Sequence, residues 1–373
     1  MDLVLTEEQS MLQKAARDFV ASRTPLARNR KIIENGDGFS RETWQEMAKL
    51  GWLGLTVKEE HGGSGLGHRF LMVLLEELGR ALVPEPFLST VLLGATAIEL
   101  GGSKAQRALH LPAIVAGERI VALAYQERSG RHERGAVDTL AFAAGAGYVL
   151  RGEKVHVTDG TIADWLIVSA RAPDGVALFL VPAKTKGVHV VRQDRIDGRS
   201  SAIVQLDGLA VDASARLGAP GRGLPLLERV LDAGTVGLTA EMLGGMLATF
   251  AMTLDYLKTR VQFGVPIGSF QALQHRAARL YVETELARSA VMHAHDALDE
   301  VDASAAARAA SVAKAKCSDA FLLVAHEAVQ MHGGIGMTEE HDVGVYLKRA
   351  RVAEMTFGDA AYHRDRFARV GGF

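Results

Sequence analysis

The chain has 373 residues, enough for two or three domains of ordinary size. Hydrophobic residues make up 48% and charged residues 23%, which allows a large core and excludes a disordered chain. The formal net charge is -2 with both signs interspersed, so there is no basic field to hold nucleic acid or an anionic membrane.

The N-terminus reads Met-Asp-Leu-Val-Leu-Thr-Glu-Glu, with acid where an export signal needs base, so a cytoplasmic chain is expected. Thr6 and Gln9 have the spacing of a capping box. Leu12, Ala15, Phe19 and Val20 recur behind it at helical spacing. Ser40 is a good N-cap for a second helix that carries Trp44 and Met47 and stops at Gly51. His61 to Gly67 is glycine-rich loop, and helix resumes over Phe70 to Leu82 and Ser103 to Ala116. Residues 1–117 are therefore expected to form a helical domain.

From about residue 118 the period becomes that of strands. Val121 to Tyr125, Leu166 to Val168, Ala177 to Val181 and Val188 to Val191 are short runs separated by Gly, Asp or Pro. Their spacing predicts an antiparallel barrel or sandwich over residues 118–223, with Ala219-Pro-Gly-Arg-Gly223 as the exit linker. Long helical patterns follow over Leu224 to Arg260, Ser269 to Val301 and Ser304 to Met331, with a last helix from Ala360. Such helices predict an antiparallel bundle over residues 224–373. Gly234, Gly237, Gly244 and Gly245 inside the first of them admit two readings, close helix packing or room for a flat ligand. No stretch of about 18 uninterrupted apolar residues occurs, so no membrane span is expected. Cys317 is the lone cysteine and reads as a buried structural thiol. Lys348-Arg349 reads as a solvated face. No metal-ligand pattern occurs.

Four strings in order carry a specific resemblance. They are Glu76-Glu-Leu-Gly-Arg80, Gly152-Glu-Lys-Val-His-Val-Thr-Asp-Gly160, Tyr256-Leu-Lys-Thr-Arg-Val-Gln-Phe-Gly-Val-Pro-Ile-Gly-Ser-Phe-Gln271 and Gln330-Met-His-Gly-Gly-Ile-Gly-Met-Thr-Glu-Glu-His341. The chain resembles the acyl-CoA dehydrogenase family from about residue 4 to residue 369. The resemblance implies a mainly α fold with a helical N-terminal domain, a central β-barrel domain and a C-terminal four-helix bundle. It implies FAD, with Arg260, Phe263, Gln271, Gln330, Gly333 and Gly334 reaching the FAD of a neighbouring subunit. Arg260 is suited to the diphosphate as a bidentate cation, and the glycines let backbone N–H groups approach it. Thr158 falls where the family sets a hydroxyl against flavin N5, and Gln126 near the pyrimidine ring. His156 replaces a tryptophan that commonly covers the flavin.

The family's reaction takes the alpha proton of an acyl-CoA thioester while flavin N5 takes a hydride from the beta carbon. The electrons pass to an electron-transfer flavoprotein. A carboxylate must reach the alpha proton. The resemblance places it either at the position of Phe357 or at that of Gly234, where an arginine often follows and Thr235 stands here. Neither position holds an acid. Two substitutes remain, Asp359 on the same loop and Glu241 two turns after Gly234. Asp359 also suits a helix N-cap before Ala360, and Glu241 suits a structural interhelix carboxylate. Two versions of the function follow. In one, a relocated carboxylate serves an active homotetramer. In the other, the chain resembles the base-lacking subunit of heterotetrameric members that act on bulky CoA thioesters such as steroid side chains, with a second acyl-CoA dehydrogenase-like subunit supplying the glutamate. A flavin monooxygenase of the same fold and a flavin-free scaffolding subunit are the remaining alternatives.

Overall fold

A computed structural model describes residues 4–36, 38–300 and 302–373. Local sequence rules place the first helices. In α1 (Glu7–Arg23) the Thr6 Oγ1 accepts from the Gln9 N–H at 3.2 Å and the Gln9 Oε1 accepts from the Thr6 N–H at 3.1 Å, the reciprocal box. Its buried residues are Gln9 and Ala16, with Ala15 exposed. A helix not expected from the sequence follows, α2 (Leu26–Asn35). Helix α3 (Arg41–Lys49) starts on Ser40, buries Trp44 and Met47, and is followed by Gly51 at φ +77°. Then come α4 (His68–Arg80), a π-helix over Leu88–Ala95, α5 (Thr96–Gly101) and α6 (Lys104–Val115).

The strands are β1 (Val121–Ala124), β2 (Leu140–Ala144), β3 (Gly147–Thr158), β4 (Trp165–Ala172), β5 (Gly175–Pro182), β6 (Val188–Arg192), β7 (Ser201–Asp212) and β8 (Arg216–Leu217). They form one sheet in the order β6-β7-β3-β2-β4-β5-β8, with β1 paired to β4. The expected antiparallel barrel is therefore corrected to an open, mixed sheet. Both β1 and β2 run parallel to β4, and β6 and β8 lie at the two ends of the order. Short alternating runs fix which face of a strand is buried, but not whether the sheet closes.

Beyond it lie α7 (Gly223–Thr259), the two-residue strands β9 (Val261–Gln262) and β10 (Val265–Pro266), α8 (Gln271–Leu298), α9 (Ala303–His332), α10 (Val343–Met355) and α11 (Ala360–Gly371). The expected end at Val301 lies outside the described residues. Helix α7 is long and apolar enough to cross a membrane by composition, yet 72% of its most apolar window is buried within the protein, as for a core helix.

The chain divides into two compact units that do not follow chain order. One comprises Arg30–Gly67 and Pro84–Gly234 and contains the eight-stranded sheet. Its core is an aliphatic cluster that includes Leu150, Val168, Phe179 and Val204. The other is helical, and comprises the chain up to Asn29, His68–Val83 and Thr235–Phe373. In the helical unit α8, α10 and α11 pack on α9. Its α4 crosses α7 at glycines on both helices. A Cβ at Gly79 would meet the Glu241 carbonyl oxygen at 2.2 Å, and one at Gly244 the Glu76 carbonyl oxygen at 2.0 Å. At Gly245 it would meet the Phe321 ring at 2.6 Å. These two glycines of α7 serve close packing. Gly244→Ala is accordingly expected to destabilise the protein by about 3 kcal/mol or more, read as a lowered thermal midpoint; an unchanged midpoint would refute the crossing.

Candidate functional site

Within the sheet unit, the loop after β1 meets the end of β3. The Val155 N–H donates to the Gln126 carbonyl at 2.9 Å, which sets Gln126 beside the strand ending in Thr158. The Gln126 Nε2 donates to the Arg131 carbonyl at 3.1 Å. Thr158 is half-buried, pairs with Ser201, and its hydroxyl makes no hydrogen bond among the described residues. The register of β3 on β7 shifts between Lys154 and Val157, and His156 lies there at φ +53°, exposed. A bulge of this kind re-aims side chains at a strand end.

Beneath this edge is an ion pair that sequence reasoning missed. The fully buried Lys154 donates from Nζ to Glu127 at 2.5 Å, to Ser169 Oγ at 2.9 Å and to the Tyr125 carbonyl at 3.4 Å. Glu127 also accepts from the N–H groups of Asp138 and Thr139. Burial pushes Lys154 down to about 8, even with its partner beside it. Glu127 is pushed up by its own burial but carried below the usual carboxylate range by Lys154 and its other donors. The sequence carries little signal of it, because Glu127 lies on the loop after β1 between Gln126 and Arg128 and Lys154 follows Glu153 on β3; only burial gives these charges their need for a partner.

In the helical unit, the C-termini of α7 and α9 and the N-terminus of α8 converge on a cluster of Leu257, Leu280, Val324 and Met331. Tyr256 of α7 stacks on His332 of α9 with centroids 4.5 Å apart. That convergence brings to one end of the unit all six residues expected there. Arg260 follows α7 and donates its N–H to the Tyr256 carbonyl, and Gln271 opens α8. Gln330 lies on the last turn of α9, and Gly333 is its C-cap at φ +65°. Phe263 is at the tip of the β9–β10 hairpin at φ +55° and is 91% exposed. Arg260, Gln271, Gln330, Gly333 and Gly334 are exposed as well. This donor set fits an anionic diphosphate. No carboxylate among the described residues pairs with Arg260, and a Cβ built at Gly333 or Gly334 meets nothing within 4 Å.

The positions considered for the base lie elsewhere in the two units. Gly234 and Thr235 are buried within α7. Phe357 is 8% exposed, on the loop between α10 and α11, at φ +62°. Left-handed backbone costs a non-glycine residue roughly 1–2 kcal/mol and persists only where the surroundings enforce it. Neither substitute carboxylate stands uncommitted. Asp359 is the N-cap of α11, its Oδ1 accepting from the Tyr362 N–H at 2.8 Å. Glu241 is buried and accepts from the Arg349 guanidinium at 2.8 Å. This pair also corrects the reading of Lys348-Arg349 as a solvated face. Lys348 holds the exposed Glu339, but Arg349 faces inward because Glu241 on α7 needs a counter-charge. Cys317 is fully buried, and burial pushes its thiol up to about 12, so it is structural.

Three profiles of one family cover the chain. They are acyl-CoA dehydrogenase, N-terminal domain (residues 6–118), middle domain (122–208) and C-terminal domain (221–372). A probable acyl-CoA dehydrogenase of Bacillus subtilis, YngJ, is 30% identical over 99% of both chains. Among solved structures, a chain of the ChsE4–ChsE5 complex from Mycobacterium tuberculosis is 30% identical, covers 100% of this chain and 99% of its own, and superposes with a TM-score of 0.92. A chain of the Tcur3481–Tcur3483 steroid ACAD is 33% identical over 98% of both chains, with a TM-score of 0.90.

Proposed function

Because this chain belongs to the acyl-CoA dehydrogenase family of FAD-dependent oxidoreductases, we propose that it is the base-lacking subunit of a heteromeric acyl-CoA dehydrogenase. The carrying observation is that Glu241 and Asp359 are both engaged, by Arg349 and by the Tyr362 N–H, in a chain whose resemblance to the family puts Phe357 where the glutamate is expected. A general base must be within hydrogen-bond reach of the proton that it removes. A carboxylate bound to a guanidinium, or spent on a helix cap, is poorly placed for that. The two solved relatives that are complexes of differently named chains support the same reading.

Bound FAD supplies the hydride acceptor for alpha,beta-dehydrogenation of an acyl-CoA. This chain's part is to hold it. Arg260 and the open backbone at Gly333 and Gly334, with Gln271, Gln330 and Phe263 beside them, would hold the diphosphate of a neighbouring subunit's FAD, and Thr158 and Gln126 would border a flavin ring. The exposure of Arg260, Phe263, Gln271 and Gln330 favours FAD shared with a neighbouring chain. So does the exposed apolar face of α8, with Tyr281, Val282 and Leu286. The partner chain supplies the glutamate, the substrate is a bulky CoA thioester such as a steroid side chain, and the electrons go to an electron-transfer flavoprotein. The three-domain division at residues 117 and 223, and a cytoplasmic location, belong to the same reading. Purified alone, the chain is expected to be colourless or inactive. Co-expressed with a family member that carries the glutamate, it is expected to form a yellow, active heterotetramer. A yellow homotetramer that oxidises an acyl-CoA by itself would sink the proposal.

A further inference from the structure

Between α10 and α11 the chain makes a tight passage, Met355 to Asp359, in which the carbonyl groups of Phe357 and Gly358 are both held from neighbouring helices. The buried Lys314 of α9 donates from Nζ to the carbonyl oxygens of Glu354 at 2.8 Å and Gly358 at 2.7 Å, and to Ser318 Oγ at 3.1 Å. An ammonium has three donors, and all three are used. The Glu354 carbonyl is one of the last of α10, so Lys314 also caps that helix from a neighbouring one. His363 of α11 is fully buried, and its Nε2 lies 3.1 Å from the Phe357 carbonyl. Only the tautomer protonated on Nε2 donates to that oxygen. A Cβ at Gly358 would meet the Tyr362 ring at 2.3 Å and His363 Nε2 at 3.2 Å, so the loop also packs closely against α11. None of these contacts involves the Phe357 side chain.

We infer that Lys314 and His363 are positioning residues, which hold residue 357 in the left-handed region whatever its side chain and so fix where that side chain lies. The flanking N-cap at Asp359 and the Thr356 hydroxyl, which donates to the Val352 carbonyl at 2.8 Å, fix the two ends of the loop but not its middle. The middle depends on α9 and α11. The relevance to the acyl-CoA site rests on the function proposed above. The clamp itself does not, and the first readout tests it alone.

That readout is amide hydrogen exchange of the full-length protein, at Thr356, Tyr362 and His363, with the paired amides of β4 and β5 as the reference. Lys314→Met is expected to speed exchange at these three amides about 10- to 100-fold relative to the reference. Equal changes in both sets, or none, would overturn the inference. Should Lys314→Met fail to fold, His363→Phe is expected to give the same local pattern, and nitrogen NMR of the wild-type protein is expected to find His363 protonated at Nε2. A proton on Nδ1 alone would overturn it. The second readout uses Phe357→Glu protein. Adding Lys314→Met is expected to lower kcat and leave KM within about twofold, the pattern of a displaced group that acts in the transition state. Inactive Phe357→Glu protein with the local exchange change intact would count against the proposed function, not the clamp.

Discussion

Replacing Phe357 with glutamate is expected to raise the rate at which an acyl-CoA bleaches the bound flavin by about 10²- to 10⁴-fold, the range of a positioned general base. The backbone asks nothing new of the substitution, since phenylalanine already occupies the left-handed position at φ +62°. The site is 8% exposed, and burial lifts a carboxylate above its usual range, which suits a base for a weakly acidic carbon proton. Phe357→Gln, of the same shape without the charge, is expected to stay at the wild-type rate. The measurement is stopped-flow loss of flavin absorbance in protein carrying FAD. Equal rates for Phe357→Glu and Phe357→Gln, with acyl-CoA bound to both, would remove residue 357 from the chemistry.

Breaking the buried pair under the sheet edge is expected to have the largest effect on stability. Lys154→Met leaves Glu127 without its ammonium, an expected cost of about 3–5 kcal/mol. Glu127→Gln/Lys154→Met, with no charge left, is expected to recover at least half of that in denaturant melts. Additive single effects would contradict the pairing. The pH dependence has a definite sign. Lys154 titrates near 8 when folded and from 10.5 when unfolded, so between those values the unfolded chain holds the extra proton. Stability relative to Lys154→Met should therefore rise with pH across that window, by up to about 1.4 kcal/mol per unit. Glu127 acts at the other end, because its lowered value gives stability that is present above the ordinary carboxylate range and is lost on acidification through the folded value.

Helix ends were legible because they are encoded locally. Thr6 with Gln9, and Ser40 ahead of Trp44 and Met47, hold their hydrogen bonds within a turn of chain. The order of the strands was not legible, since β1 beside β4 joins segments about 40 residues apart and no local residue specifies that neighbour. The unexpected helices were α2, α5, α10 and the π-helix at Leu88–Ala95; no side chain caps the last three, and Pro25 ahead of α2 has no side-chain acceptor to offer. At the candidate site, Arg260 and Gly333 were expected from the resemblance alone, and the structure brings them to one end of the helical unit. Lys314 was not, because a lysine within an alanine-rich helix reads as solvated until α10 and α11 close over it. Arg349 misled for the same reason.

The helical unit draws on the chain up to Asn29, on His68–Val83 and on everything from Thr235 onward. During synthesis its first two pieces emerge long before the third. At ordinary translation speeds α4 waits about 10–30 s for α7. Throughout that interval Leu71, Leu74, Leu75 and Leu78, all buried in the finished protein, have only α1 of their own unit to pack against. The sheet unit is complete at Gly234 and can fold at once. The nascent chain therefore passes through a state with a finished sheet and an apolar helix covered only by α1, and that is the state in which a ribosome-associated chaperone would find it.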